Sequence, residues 1–143
     1  MGEYPRTLSG EAISAELRSV IDSLTRRLLS GAHPAHSVLR DQYSRARIRD
    51  VELTGAGFFA NFEVPTDAPL VEPARMIGGD VHMEVDGLAG GAGSLLCVSD
   101  GRLAFLEVYV NGGEPWSEHT VVLDFREAIP IPCSTAPWLK QGR

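Results

Sequence analysis

The stretch Gly93–Val110 reads GSLLCVSDGRLAFLEVYV and places two apolar runs on either side of an Asp-Gly pair. This arrangement is a strong signal for a β-hairpin, because Gly101 can take the positive φ that such a turn requires. Alternation along the second strand predicts one face with Ala104, Leu106, Val108 and Val110, and another with Leu103, Phe105, Glu107 and Tyr109. Because both faces are largely apolar, we predict a hairpin in the middle of a sheet, covered on both sides.

The segment upstream of this hairpin begins with two predicted helices. Apolar residues recur at helical spacing over residues 9–30, with Ser9 placed to cap the first turn and Gly31 to end the helix. A shorter second helix begins at His33-Pro34, because proline is well tolerated in the first turn. We expect the apolar stripe of the first helix to cover one face of the sheet.

The rest of the chain predicts strands joined by turns. Including the central hairpin, about six strands are expected, near residues 45–53, 58–64, 80–86, 93–99, 103–110 and 119–125. The proline-interrupted residues 65–79 read as a functional or mobile loop, the glycine-rich residues 87–93 as a connection, and residues 126–143 as a Pro-rich C-terminal arm. Short connections between consecutive strands favour antiparallel pairing. The fold class is therefore α+β, with two helices packed on a mainly antiparallel sheet in a single domain over residues 1–143.

Composition limits the classes of partner. The chain has 143 residues and a net charge of −6, which argues against general nucleic-acid or anionic-membrane binding. It has no run near the roughly 18 apolar residues of a membrane span. The beginning of the chain lacks the layout of a secretion signal, and two widely separated cysteines do not form a disulfide framework. We therefore expect a cytoplasmic protein.

Two charged strands are the first candidate sites. His82 and Glu84 share a face of the predicted strand 80–86 and are candidates for a metal site, although a solvated outer face is the simpler interpretation. Arg45, Arg47 and Arg49 share a face of strand 45–53 and would suit a phosphate or an acidic ligand. The simpler interpretation of these arginines is electrostatic pairing with the acidic strand 80–86.

Three further candidates come from single residues or pairs. Glu107 lies in an apolar strand with Tyr109 on its face, so these two are the candidate catalytic residues, unless Glu107 lies near an edge or pairs with an arginine. His33 and His36 have a spacing that permits a shared metal, but a capping or surface role is simpler. Trp116, in a Gly-Pro loop, is a candidate partner-binding residue that could instead fold back over the end of the sheet.

The hairpin sequence also carries a resemblance. The run from Gly93 to Trp116, with Asp100-Gly101 leading to Leu106-Glu107-Val108-Tyr109, resembles small bacterial α+β proteins of unknown function in which a Leu-Glu-x-Tyr strand follows an Asp-Gly hairpin. The resemblance implies an α+β fold and a stand-alone protein of the bacterial cytosol. It implies no activity and assigns no role to any residue.

The functional hypotheses follow from these patterns. No recognisable catalytic set and no cofactor motif occurs, so the leading hypothesis is a protein-interaction module of inhibitor or immunity type. The alternative is a small-ligand-binding protein or enzyme that uses the sheet face around Glu107, Tyr109 and Arg47. Self-association through the two-sided apolar hairpin is a third possibility. The sequence leaves open the strand order, the oligomeric state and the identity of any ligand or partner.

Overall fold

The order of elements agrees with the α+β prediction. A computed structural model describes residues 4–72, 74–117 and 119–127, apart from the side chains of Met76 and Asp80. Most of the Pro-rich arm predicted for residues 126–143 lies outside these residues. The helices are α1 (Ala15–Leu28) and α2 (Pro34–Arg45). The strands are β1 (Arg6–Leu8), β2 (Arg47–Leu53), β3 (Gly57–Glu63), β4 (Met76–Val85), β5 (Leu88–Ser99), β6 (Arg102–Val110) and β7 (Val122–Glu127).

These strands form one antiparallel sheet. Its order is β1-β2-β3-β6-β5-β4-β7, so the described residues contain seven strands where about six were predicted. The predicted Asp-Gly hairpin joins β5 and β6 at Asp100 and Gly101, and Gly101 has a φ of 77°. Both of its strands lie inside the sheet, as predicted. The glycine-rich connection predicted at residues 87–93 is instead mostly the first part of β5, which pairs with β4.

Both helices pack on the same face of the sheet. Helix α1 contacts β4 and β5, whereas α2 contacts β6. The buried side of α1 is the predicted apolar stripe, including Leu17, Ile21 and Leu24. It belongs to one core cluster with the strand residues that alternate inward, such as Phe58 and Leu106. Burying each of these side chains stabilises the fold by about 2 kcal/mol.

The start of α1 differs from the prediction. Residues Gly10–Ala12 form a short 3-10 turn, and the N-cap of α1 is Ser14 rather than Ser9. The hydroxyl oxygen of Ser14 accepts a hydrogen bond from the N–H of Leu17 at 3.1 Å, whereas Ser9 makes no side-chain capping bond. A serine three residues before an available backbone N–H is a better cap than one that precedes a separate turn.

The long loop before β4 is held by the central hairpin and α2. The N–H of Val71 donates to the carbonyl of Gly101 at 2.9 Å, and the N–H of Gly101 donates to the carbonyl of Ala74 at 2.8 Å. Gln42 on α2 is buried and bonds to Pro69, Gly101 and Leu103. The segment 65–79, which the sequence predicts to be functional or mobile, is therefore held against the core by hydrogen bonds to the Asp-Gly turn and to Gln42.

The helices do not have the character of membrane spans. Within the described residues, neither helix combines the length and the apolar surface that crossing a bilayer requires.

Candidate functional site

The sheet has a second face that neither helix contacts, and we call it the open face. Strand register places Phe59, Leu95, Glu107 and Tyr109 on it, with Phe105 and Cys97 in the adjoining row. Within the described part of the chain, no helix or strand packs on this face, so the prediction that both faces of the hairpin are covered is met on one side only. The face that carries the strongest sequence candidates is therefore the one without a described cover.

A β-bulge modifies the predicted alternation at the start of β6. The register shifts between Cys97 and Val98 on β5, so Leu103 pairs with Val98 and is buried with Leu106. The sequence alternation had placed Leu103 on the face of Glu107. A bulge adds one residue to one strand and so exchanges the faces of the residues before it.

The centre of the open face is apolar around one carboxylate. Glu107 pairs with Leu95 on β5 and with Phe59 on β3. Phe59 and Phe105 meet edge to face, with their ring centroids 5.4 Å apart. Within the described residues, no hydrogen bond or ion pair reaches the Glu107 side chain, and its predicted arginine partner is not found there. Glu107 is half-buried rather than fully enclosed.

Tyr109 and Cys97 flank this carboxylate and are both placed by packing. The ring of Tyr109 lies across Gly93, where an added Cβ would be 2.4 Å from the phenol oxygen. Glycine in the middle of β5 is therefore explained by the aromatic ring of the next strand. Burial, together with the Glu107 carboxylate, raises the pKa of the Cys97 thiol to about 11. The thiol is protonated at neutral pH and is a poor nucleophile.

The arginines predicted as one anion-binding row are separated. Arg45 is the last residue of α2 and pairs with Asp41, because the helix extends further than predicted. Arg49 lies at a register shift in β2, opposite no β3 residue, with its Nε 3.6 Å from a carboxylate oxygen of Asp50. Arg47 pairs with Glu63 on β3 at 2.7 Å. The predicted pairing with strand 80–86 is wrong, because β2 and β4 are not neighbours in the sheet.

The residues of the enzyme hypothesis do not come together. Arg47 on β2 and Glu107 on β6 are separated by β3, where Arg47 pairs with Glu63 and Glu107 pairs with Phe59. The two residues are about 10 Å apart across the sheet, which is two strand spacings. Their partners on β3 are four residues apart, which adds about 13 Å along the strands. Glu107 and Tyr109 share a face as predicted, but Arg47 cannot reach the same small ligand.

The candidate metal residues of β4 lie at the far side of the sheet. His82 and Glu84 are exposed, and the Glu84 carboxylate is 3.3 Å from Arg126 of β7. Among the described residues, no group of three or more His, Cys, Asp or Glu side chains is arranged to hold a metal ion. An ion pair between neighbouring strands accounts for Glu84.

Trp116 is 1% exposed, so the expectation of an exposed partner-binding indole is wrong. Its ring packs against Phe58 at 5.4 Å, and its backbone carbonyl accepts a hydrogen bond from the Tyr4 hydroxyl. The indole closes the end of the core on the helix side, which is the alternative that the sequence also allowed. Burial of the large indole ring stabilises the fold by more than the free energy that it costs to order the loop.

The two histidines near the start of α2 make hydrogen bonds with the backbone around the beginning of this helix. His33 is the N-cap of α2, and its Nδ1 accepts a hydrogen bond from the N–H of Ala35 at 3.0 Å. His36 is buried, and its Nδ1 accepts from the N–H of Gly31 at 2.8 Å. Both side chains therefore organise the connection between α1 and α2, in line with the capping interpretation.

We expect His36 to make the stability of the protein pH-dependent. Burial, then Arg40 and His33, lower its pKa from the ordinary 6.5, so the unfolded chain takes up the proton at a higher pH than the folded chain. Its stabilising contribution is complete above about pH 6.5 and falls with decreasing pH until the folded pKa is passed, by at most about 1.4 kcal/mol per pH unit. Urea unfolding of the wild type and of His36→Gln at several pH values checks this. Parallel pH profiles for the two proteins would contradict it.

Comparison of the chain with protein-family models, curated protein sequences and solved structures finds no match. The function is therefore inferred from the geometry of the described residues.

Proposed function

We propose that this chain is a protein-interaction module of the bacterial cytoplasm, of the inhibitor or immunity type, whose partner docks on the open face of the sheet. The observation that supports this most directly is the apolar surface around Glu107, on a face that no described element covers. A module of this kind acts by occupying a surface of its partner and needs no catalytic set.

The chemistry of the open face indicates what the partner presents. Phe59, Phe105 and Leu95 offer aromatic and aliphatic area, the kind of surface that carries most of the free energy in protein interfaces. Glu107 in their midst has no described cationic neighbour. A partner that presents Lys or Arg among apolar side chains would bury this area and pair the carboxylate, and such a charge pair contributes specificity as well as affinity.

A second copy of this chain fits the open face less well than a different protein. A two-fold dimer places the same patch on both subunits, so an axis near the centre of the face would bring two Glu107 carboxylates together. Like charges in an apolar interface repel each other strongly. A different protein with a basic patch avoids this repulsion.

Location and partner class follow from the charge and the cysteine chemistry. The net charge of −6 supports a basic protein partner over nucleic acid. Cys97 is a free, buried thiol, which fits a reducing compartment such as the cytoplasm.

We expect Phe105→Glu to weaken partner binding by about tenfold or more, because a central aromatic contact is lost and a second carboxylate joins Glu107. Val121→Glu is the matched control, since Val121 is 53% exposed and precedes the edge strand β7, three strand spacings from β6. The tagged chain is used to capture proteins from source lysate, and the captured complex is purified and sized by light scattering. Affinities of the three proteins for the purified partner are then measured by calorimetry.

Two outcomes would contradict the proposal. One is that no protein is captured in stoichiometric amount. The other is that Phe105→Glu and Val121→Glu bind equally well while circular dichroism shows both to be folded. If light scattering instead shows a homodimer that Phe105→Glu dissociates, the open face is a self-association surface and the proposal of a different partner is wrong.

A further inference from the structure

A cleft lies on the helix side of the molecule, away from the open face. It runs between α1 and α2 to the start of β2 and has a volume of about 680 Å³. This volume falls within the range of small-molecule sites in proteins. We call it the arginine cleft, because Arg18, Arg26 and Arg40 line it. Arg47 reaches it only at the start of β2, because its guanidinium group pairs with Glu63 on the opposite face of the sheet.

The three guanidinium groups are positioned by contacts with the protein that leave donors for a ligand. Arg18 donates to the carbonyl of Gly10 at 2.6 Å, and Arg40 donates to the carbonyls of Leu29 and Gly31 through one nitrogen. A guanidinium group carries five N–H donors, and these contacts use only one or two of them. Neither arginine has its charge neutralised by the carbonyl oxygens that it contacts.

The third arginine has a carboxylate neighbour. Arg26 bonds to Asp22 at 2.9 Å. Burial alone would raise the pKa of Asp22, but hydrogen bonds from Tyr43 and Arg26 outweigh burial and hold the pKa below its ordinary value. Asp22 is therefore ionised at neutral pH.

The cleft consequently carries an excess of about two positive charges, since Arg18, Arg26 and Arg40 face the single carboxylate of Asp22. This excess is local, because the whole chain has a net charge of −6. The arginines of the cleft still have N–H groups that can donate to a ligand, whereas the Asp22 carboxylate already accepts a hydrogen bond from the Tyr43 hydroxyl at 2.6 Å.

The remaining lining is apolar. Phe62 and Tyr43 meet edge to face with their ring centroids 5.8 Å apart, and Ile48, Ala46 and Leu29 also line the cleft. A ligand that matched the charges alone would leave this surface in contact with water. An anion with an aromatic or aliphatic body would contact both parts of the lining.

We propose that the arginine cleft binds a small organic phosphate monoester whose body is aromatic or aliphatic. The phosphate group carries nearly two negative charges at neutral pH, matching the charge excess of the cleft. Its oxygens accept the paired N–H donors of arginine, and its organic body packs against Tyr43 and Phe62. This site is independent of the open face and of the protein partner proposed for it.

The test uses 1-naphthyl phosphate as the probe and calorimetry as the measurement. We expect the double variant Arg18→Gln/Arg40→Gln to bind it about tenfold more weakly than the wild type, since two charge-assisted contacts are removed. The matched control is Arg45→Gln/Arg49→Gln, which removes the same charge from two arginines outside the cleft lining. We expect the control to stay within about twofold of the wild type.

Measurements on the wild type keep the test decisive if the cleft variant does not fold. Neutral 1-naphthol should bind at least about tenfold more weakly than its phosphate, because it lacks the charged contacts, and inorganic phosphate should displace the probe. Absence of probe binding, equal binding of 1-naphthol, or equal weakening in both double variants would each overturn the proposal. Phe105→Glu on the open face should leave probe binding unchanged, which separates this site from the docking surface.

Discussion

Replacing Gln42 with leucine is expected to lower the free energy of unfolding by about 3 kcal/mol. Gln42 is 0% exposed, and its amide nitrogen donates to the carbonyls of Pro69 at 2.7 Å and Gly101 at 2.8 Å. Its amide oxygen accepts from the N–H of Leu103 at 2.9 Å. One side chain therefore ties α2 to the long loop and to the central hairpin.

Leucine has a similar volume, so the expected loss comes from unpaired polar groups and not from a cavity. The N–H of Leu103 would lose its Gln42 partner in the interior and the carbonyl of Pro69 would lose its Gln42 partner in a partly buried position, whereas the carbonyl of Gly101 still accepts from Val71. Each unsatisfied buried group costs about 1–3 kcal/mol.

Urea unfolding followed by circular dichroism measures this loss, and Asn61→Ala serves as the control. The amide of Asn61 also makes two hydrogen bonds, to Asp50 and Glu52, but these lie on the open face of the sheet, where they are partly exposed. We expect the control to lose less than about 1 kcal/mol. Equal losses for the two variants would show that Gln42 is not the connection that its contacts indicate.

The second large effect is expected for Gly57→Ala, with a loss of at least about 3 kcal/mol. Gly57 begins β3 with a φ of 148°, and a Cβ at this position would lie 1.8 Å from the carbonyl oxygen of Val108 on β6. The clashing atom belongs to the backbone of a central strand, so it cannot move aside as a flexible side chain would. The two strands must separate or the residue must change conformation.

Gly113→Ala is the matched control for this substitution. Gly113 has open space around its Cα, and its φ lies outside the left-handed region. Replacing it with alanine should leave the midpoint of urea unfolding nearly unchanged. If Gly57→Ala unfolds at the same urea concentration as Gly113→Ala, the close approach of β3 and β6 is not required for the fold.

Local signals in the sequence predicted the elements that depend on local physics. The Asp-Gly turn, the apolar stripe of α1 and the proline at the start of α2 each act within a few residues, so their elements are found close to the predicted positions. Elements that depend on distant residues were missed. β1 is a three-residue strand that exists because it pairs with β2, and the glycines of β5 lie in a strand because β4 and Tyr109 flank them.

The candidate sites divide in the same way. Period-two alternation placed Glu107 and Tyr109 on one face, and the structure confirms that placement. The arginine cleft was not predicted, because it forms where two helices and a strand meet. One signal was present, since Arg18 and Arg26 each lie four residues from Asp22 and therefore share one side of α1. The prediction grouped only the arginines that share a face of the predicted strand 45–53.

The strand order also determines how the protein responds to mechanical force. β1 and β7 lie at opposite edges of the sheet, six strand spacings apart, or about 29 Å. Tension applied between Arg6 and Glu127 therefore acts across the strands, nearly parallel to the hydrogen bonds that join them. Under such a load the ladders open one bond at a time from the edges, instead of resisting together as they would in shear. The three-residue β1 offers the shortest ladder, so an unfolding machine that pulls on this chain meets its weakest resistance there.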